Sequence, residues 1–258
     1  MTGPAIPPDV SGHLARFTDG LLAAVELRGL YLYGSLTTGD FSPAASDIDL
    51  LAVTASRPEG AELDRLRTLH LDLARAGGAY ARLNCLYVPD GTLADSERLH
   101  TYWYGDRFTE WNLKVMTVAE LRHAGRSLHG PWPPPGLPDI SPGELREQAR
   151  AELTGYWRRL TYRPGIWLQD KWVDFALVTL ARAAAVLRDG SLITKSQAIA
   201  ELHQFGVPGW LTDQIRRRRA GEPVSVTASQ RLNRAVRARH IMATGIRDLT
   251  SARARAVP

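Results

Sequence analysis

Gly34-Ser35, ten intervening residues, then Ser46-Asp47-Ile48-Asp49 running into Leu50-Leu51-Ala52-Val53 is the stretch on which the reading of this chain turns. Two aspartates one residue apart at the head of an apolar run predict a β-strand with both carboxylates on one face. Carboxylates held that close repel unless a cation lies between them, and hard oxygen donors favour Mg²⁺. Upstream, Leu30-Tyr31-Leu32-Tyr33 predicts a second strand that ends at Gly34-Ser35, where a bare backbone and a hydroxyl can approach a phosphate. Gly-Ser alone is a loop dipeptide, and Asp-x-Asp alone is at home in turns or on an exposed strand edge. Their coupling across a turn-rich linker, Thr37 to Ala45, supplies an anion cradle beside a divalent metal site.

From Gly34 through Asp49 the chain resembles the nucleotidyltransferase superfamily, and within it most closely the aminoglycoside adenylyltransferases that act on streptomycin and spectinomycin. The resemblance implies transfer of AMP from ATP to a hydroxyl of a small molecule, with loss of pyrophosphate. Asp47 and Asp49 would hold Mg²⁺ against the triphosphate, and Ser35 with the Gly34 backbone would hold the terminal phosphates. Ser46 would touch phosphate or cap the start of the strand. Lys195 corresponds to a phosphate-contacting lysine, or stands as an exposed lysine at a helix start. Trp167, Asp170 and Asp174 fall where the family keeps an aromatic and acidic residues against the aminoglycoside; the other reading makes Asp170 an N-cap and Asp174 a solvated residue.

One position departs from the pattern. The family places a third carboxylate on a following strand as general base, and the matching stretch, Ala81-Arg82-Leu83-Asn84-Cys85-Leu86, offers Asn84. An amide cannot accept a proton at neutral pH. Either Glu110 takes the role, or water and metal do, or the activity is weakened or lost.

Composition sets the frame. The chain has 258 residues, 44% hydrophobic and 23% charged, as in an ordinary folded protein. No run approaches the about 18 apolar residues of a membrane span. Met1 to Asp9 lacks a basic, apolar signal pattern and reads as a frayed lead-in. The single cysteine, Cys85, excludes an internal disulfide and fits a cytoplasmic protein with a buried, inert thiol. Residues 1–140 carry 12 Lys/Arg against 17 Asp/Glu, a net −5, whereas residues 141–258 carry 20 against 10, a net +10. An acidic half and a basic half suit a nucleoside triphosphate; a nucleic acid partner is the less favoured reading.

The apolar spacing predicts a helix over Val10–Leu27, strands ending at Gly34 and starting near Asp47, and a helix over Glu59–Arg75 closed by Gly77-Gly78. A strand is expected over Ala79–Val88, a weaker one over Leu113–Val118, and a helix over Val118–Arg126. Pro131 to Gly136 interrupts the pattern as a semi-rigid connector. Beyond it, Ser141-Pro142-x-Glu144, Thr194-x-x-Gln197 and Thr227-x-x-Gln230 are helix-start signatures. The expected architecture is therefore an α/β nucleotidyltransferase domain with a small mixed sheet over 1–130, a connector over 131–140 and a helical bundle of four or five helices over 141–258. Arg216-Arg217-Arg218-Arg219 reads as the solvated end of a helix. The competing functions are nucleotidyl transfer to a protein or tRNA end, and a nucleotide-binding module without turnover.

Overall fold

The computed structural model describes residues 4–75, 77 and 81–251. The chain divides into two compact units, Met1–Ile140 and Ser141–Pro258. Among the described residues no helix is long and apolar enough to cross a membrane.

The first unit is built on a six-stranded mixed sheet. Its strands are β1 (Leu27–Tyr33), β2 (Ile48–Thr54), β3 (Leu83–Pro89), β4 (Leu99–Tyr104), β5 (Arg107–Asn112) and β6 (Arg126–His129), in the order β5-β4-β3-β2-β1-β6. β2 and β3 run parallel, so the chain must cross over between them, and α3 (Gly60–Arg75) makes that crossing. The other pairings are antiparallel.

Side-chain alternation sorts the sheet into two apolar layers. One face, with Leu32, Ile48, Leu50 and Cys85, is buried against α1 (Pro8–Ala24) and α3 through Phe17, Leu21 and Leu66. The opposite face, with Tyr31, Leu51, Val53 and Leu86, meets Val118 and Leu121 of α4 (Val115–Ala124) and Leu137. Because β2 is covered on both sides, it reads as a near-continuous apolar run after Asp49.

The strand expected over Leu113–Val118 is absent. β5 ends at Asn112 and α4 begins at Val115, three residues before the helix expected from Val118. The β4–β5 hairpin, turning at Gly105-Asp106, takes that place in the sheet. β5 is a mostly exposed edge strand, so its sequence carries no apolar alternation to betray it. β3 begins at Leu83; Ala79 and Tyr80 of the expected strand lie outside the described residues, as do Gly78 and Met1–Gly3. The proline-rich segment does more than connect: Trp132 lies 6.0 Å from the Tyr31 ring, and Leu137 is buried in the first unit's core.

The second unit is helical. α5 (Pro142–Glu152) starts at a capping box in which Ser141 and Glu144 satisfy one another's backbone N–H groups. It runs through a π turn (Leu153–Trp157) into α6 (Arg158–Leu160), followed by a 3₁₀ turn over Pro164–Leu168. α7 (Asp170–Asp189) is the buried centre of the unit, with Val173, Leu177, Leu180 and Ala184 inside, and ends at left-handed Gly190. α8 (Lys195–Glu201), α9 (Gly209–Arg219) and α10 (Ala228–Thr250) complete it; α8 and α10 start at the Thr194/Gln197 and Thr227/Gln230 boxes.

Candidate active site

The first unit brings Gly34, Asp49 and Asn84 together by strand register. Tyr33 is opposite Asp49 across β1–β2, and Asp49 is opposite Asn84 across β2–β3. Asp47, two residues before Asp49, projects toward the same side, while Ile48 between them is fully buried on the other. Both aspartates are half-buried. Asn84 is 6% exposed, and its Nδ2 donates to Oδ1 of Asp49 at 3.4 Å.

Gly34 closes this arrangement from β1. Its φ of +78° belongs to the region glycine adopts without penalty. A Cβ placed there would stand 2.8 Å from Oδ2 of Asp49, so the bare backbone is what lets the carboxylate come so near. The short helix α2 (Ser35–Thr38) follows, its amides at Thr37 and Thr38 and the Thr37 hydroxyl donating to the Gly34 carbonyl. Ser35 is half-buried at the first position of that turn.

Electrostatics show that the two carboxylates share a field. The Tyr102 phenol, on the same sheet face, is pushed up by burial first, then by Asp49, Tyr104 and Asp47. Tyr33 is pushed up by burial, then by Asp49, Tyr102 and Glu120 of α4. Both phenols therefore remain protonated donors at neutral pH. A pair of half-buried carboxylate groups with hard oxygens, set one residue apart, fits a divalent cation such as Mg²⁺. Among the described residues no group of three His, Cys, Asp or Glu side chains converges as a metal site, so the fit is that of a two-carboxylate site with an amide as third neighbour.

Two of the expected residues take structural roles in the first unit. Ser46 is 1% exposed and its Oγ accepts from the Ser42 amide at 2.9 Å, so its hydroxyl shapes the loop before β2. The same loop is held by Arg82, which donates to the carbonyls of Ser46 and Pro43. Glu110 sits opposite Thr101, and Thr101 opposite Tyr87, a residue of the core layer against α1 and α3. Glu110 is thus on the other face of the sheet from Asp49 and Asn84, and it pairs with Arg57.

The second unit carries the other expected residues. Trp167 is 1% exposed and its indole Nε1 donates to the Leu160 carbonyl at 3.1 Å. Its ring is core; on α7, Trp172 is half-buried and Phe175 exposed, their rings 6.3 Å apart. Asp170 is the first residue of α7, after the Gln169 cap, so it is not the N-cap. Nor is Asp174 simply solvated. Arg218 of α9 grips it with two bonds, Nε to Oδ2 at 2.7 Å and Nη2 to Oδ1 at 2.6 Å. Arg234 of α10, fully buried, reaches Oδ1 of Asp170 at 2.5 Å. The cations that two like charges on one helix face require are thus arginines from α9 and α10. Arg218 is correspondingly not a solvated member of the Arg216–Arg219 run, being 15% exposed. Burial pushes the Asp174 carboxyl up, and the Arg218 bonds oppose that rise. Lys195 is half-buried at the first position of α8.

Residues 16–114 match the family model of the nucleotidyltransferase domain. They span β1 to β5, and so contain Gly34, Asp47, Asp49 and Asn84. No curated protein matches significantly in sequence. In structure, the chain is similar to the spectinomycin adenyltransferase AAD(9) from Enterococcus faecialis, crystallised with ATP and spectinomycin. The TM-score is 0.67 at 15% identity, over 90% of this chain and 98% of that one. The enzyme class is that of a nucleotidyltransferase.

Proposed function

We propose that this protein transfers AMP from ATP to a small-molecule acceptor in a Mg²⁺-dependent reaction that releases pyrophosphate. The observation that carries the reading is the approach of the Asp49 carboxylate to the side-chain-free Gly34 backbone, inside a matched nucleotidyltransferase domain. ATP as the co-substrate is supported by the ligands of AAD(9). A magnesium ion held by Asp47 and Asp49 would neutralise triphosphate charge. Gly34 leaves room for the phosphates, Ser35 offers a hydroxyl donor, and protonated Tyr33 and Tyr102 keep the face free of further negative charge. Catalysis on this reading is positioning plus electrostatics, as in phosphoryl transfer generally.

A hydroxyl of an aminoglycoside or aminocyclitol is the acceptor class that the likeness to AAD(9) brings forward. In this reading Lys195 contacts phosphate and Asp170 and Asp174 lie on the acceptor side. The net +10 of residues 141–258 favours a second acceptor, a tRNA or protein end. The lone, buried Cys85 supports a cytoplasmic setting.

The test is isothermal titration of ATP with and without Mg²⁺, beside pyrophosphate release with spectinomycin, streptomycin, tRNA and no acceptor. Mg²⁺-dependent ATP binding that is lost in Asp49→Asn supports the site. ATP binding unaffected by Asp49→Asn would place the nucleotide elsewhere.

A further inference from the structure

We propose that the helical unit carries a ligand site of its own, a cavity between α6 and the end of α10 that binds a nucleoside phosphate, either free or as one unit of a single-stranded RNA. The site is separate from the Asp170 and Asp174 face of the same unit. From Arg234, which meets Asp170, to Arg247, which lines the cavity, α10 advances about 20 Å at about 1.5 Å per residue. The site stands whether or not the first unit transfers AMP.

The cavity measures about 410 Å³, within the about 300–1,000 Å³ of small-ligand sites. Arg158, Thr161 and Tyr162 line it from α6 and the turn that follows, and Ile246, Arg247 and Ser251 from the end of α10. Ile246 is buried and gives the cavity apolar surface. Tyr162 is 70% exposed, which leaves a ring face beside the arginines on which a base can stack.

The arginines there are uncommitted. Both helices end at the cavity, and arginines at a helix C-terminus ordinarily serve its last carbonyls. Here those carbonyls have other donors. The Arg158 carbonyl accepts from the Thr161 hydroxyl, that of Ile246 from Thr250, that of Asp248 from Ser251, and that of Thr161 from Arg239. Among the described residues the Arg158 guanidinium has no hydrogen-bond or ion-pair partner. Arg247 has the Thr244 hydroxyl at 3.3 Å and Asp248 at 3.7 Å, an ion pair between two exposed side chains that holds neither firmly. The run Arg216–Arg219 differs: its first three members are paired with Asp213, Glu222 and Asp174. The longest basic run of the chain is thus largely neutralised, and the cavity arginines are not.

Two guanidinium groups at one cavity match the charge and the oxygens of a phosphate. The hydroxyl hydrogens of Thr161, Thr250 and Ser251 are committed to carbonyls, which leaves these groups acceptor lone pairs suited to ribose hydroxyls and base N–H groups. Inorganic phosphate would use the arginines alone. A nucleoside phosphate uses the arginines, the Tyr162 ring and the hydroxyl oxygens together.

The experiment is titration of the full chain with four probes: fluorescein-labelled hexauridylate followed by anisotropy, and uridine monophosphate, uridine and inorganic phosphate followed by calorimetry. Arg158→Ala and Arg247→Ala should each weaken the phosphate-bearing nucleotide probes about 10-fold or more, the loss expected for a hydrogen bond to a charged group. Tyr162→Ala should weaken the same probes about 5-fold or more while leaving inorganic phosphate within about 2-fold. Arg217→Ala, in the run already paired with acids, is the control and should move no affinity by more than about 2-fold. Hexauridylate bound about 10-fold or more tighter than the monophosphate identifies RNA as the source of the nucleotide; comparable affinities identify the free nucleotide. Uridine bound as tightly as its monophosphate, affinities unmoved in both arginine variants, an equal loss in Arg217→Ala, or no binding of any probe overturns the proposal. The same titrations in Asp49→Asn separate this site from the one in the first unit. Binding lost there and intact in Arg158→Ala would place the nucleotide in the first unit and overturns the proposal as well.

Discussion

Asp49 of β2 and Asn84 of β3 stand directly opposite one another in the parallel register, with the amide donating to the carboxylate at 3.4 Å. A metal-binding candidate thus has a neutral neighbour that orients it without sharing its charge.

Asp47→Asn and Asp49→Asn should each reduce nucleotidyl transfer by about 10³-fold or more at saturating Mg²⁺, since each removes half of the negative charge offered to the cation. The melting temperature should hold or rise slightly, because the variants relieve repulsion between two half-buried carboxylates. Pyrophosphate release and a thermal melt check both halves. Near-normal turnover in either variant would remove the metal from this site.

Gly34→Ala tests the close approach. The added Cβ meets Oδ2 of Asp49 at 2.8 Å and is held at φ +78°, so the carboxylate or the backbone must move. A cost of about 1–3 kcal/mol is expected from the backbone alone, with a further loss of Mg²⁺ affinity. Denaturant unfolding and Mn²⁺ titration by spin resonance separate the two effects. A stable variant with intact metal affinity would show that Gly34 is not needed for this contact.

In the helical unit, Arg218→Ala leaves a mostly buried Asp174 without its two charge-assisted bonds. Breaking such a pair by removing one partner costs about 3 kcal/mol. Arg218→Met together with Asp174→Leu should recover most of that loss, since it removes both charges at once. Urea unfolding of the single and double variants decides it; equal losses in both would mean that the packing of Arg218, and not its charge, matters.

His70 gives the first unit a pH response. The ring is 3% exposed, stacks on Trp103 at 4.4 Å and shares a 2.7 Å hydrogen bond with the Tyr87 hydroxyl. Burial lowers its pKa from 6.5 to about 3. The unfolded chain therefore takes up a proton that the folded one refuses, and stability present above pH about 6.5 is lost as pH falls toward 3. The slope approaches about 1.4 kcal/mol per pH unit within that window. Melting curves from pH 7 to 4 should steepen in the wild type and flatten in His70→Phe.

Much of this molecule was legible from residue order alone. The leucines from Glu59 to Arg75 mark α3, and the three Ser/Thr-x-x-Glu/Gln signatures sit at the starts of α5, α8 and α10, because both rest on contacts within one turn. The β4–β5 hairpin was hidden because an exposed edge strand has no buried face to impose alternation. The fates of Asp170 and Asp174 depend on α9 and α10, about 45 to 65 residues downstream, and no local pattern announces such a partner. Glu110 failed for a related reason: whether a strand residue faces the site is set by pairing parity, which a single sequence does not carry.

That parity has a consequence for how errors in this protein would present. Asp49 and Ile48 are neighbours pointing to opposite sides of one strand that is covered on both. A slip of β2 by a single residue would drive the aspartates into the layer beneath α1 and α3 and turn Ile48 and Leu50 toward the face that carries Asn84 and Tyr102. The misregistered chain could not survive as a well-folded but inactive decoy. Quality control that recognises only exposed apolar surface would in this way also be inspecting the geometry of the candidate site.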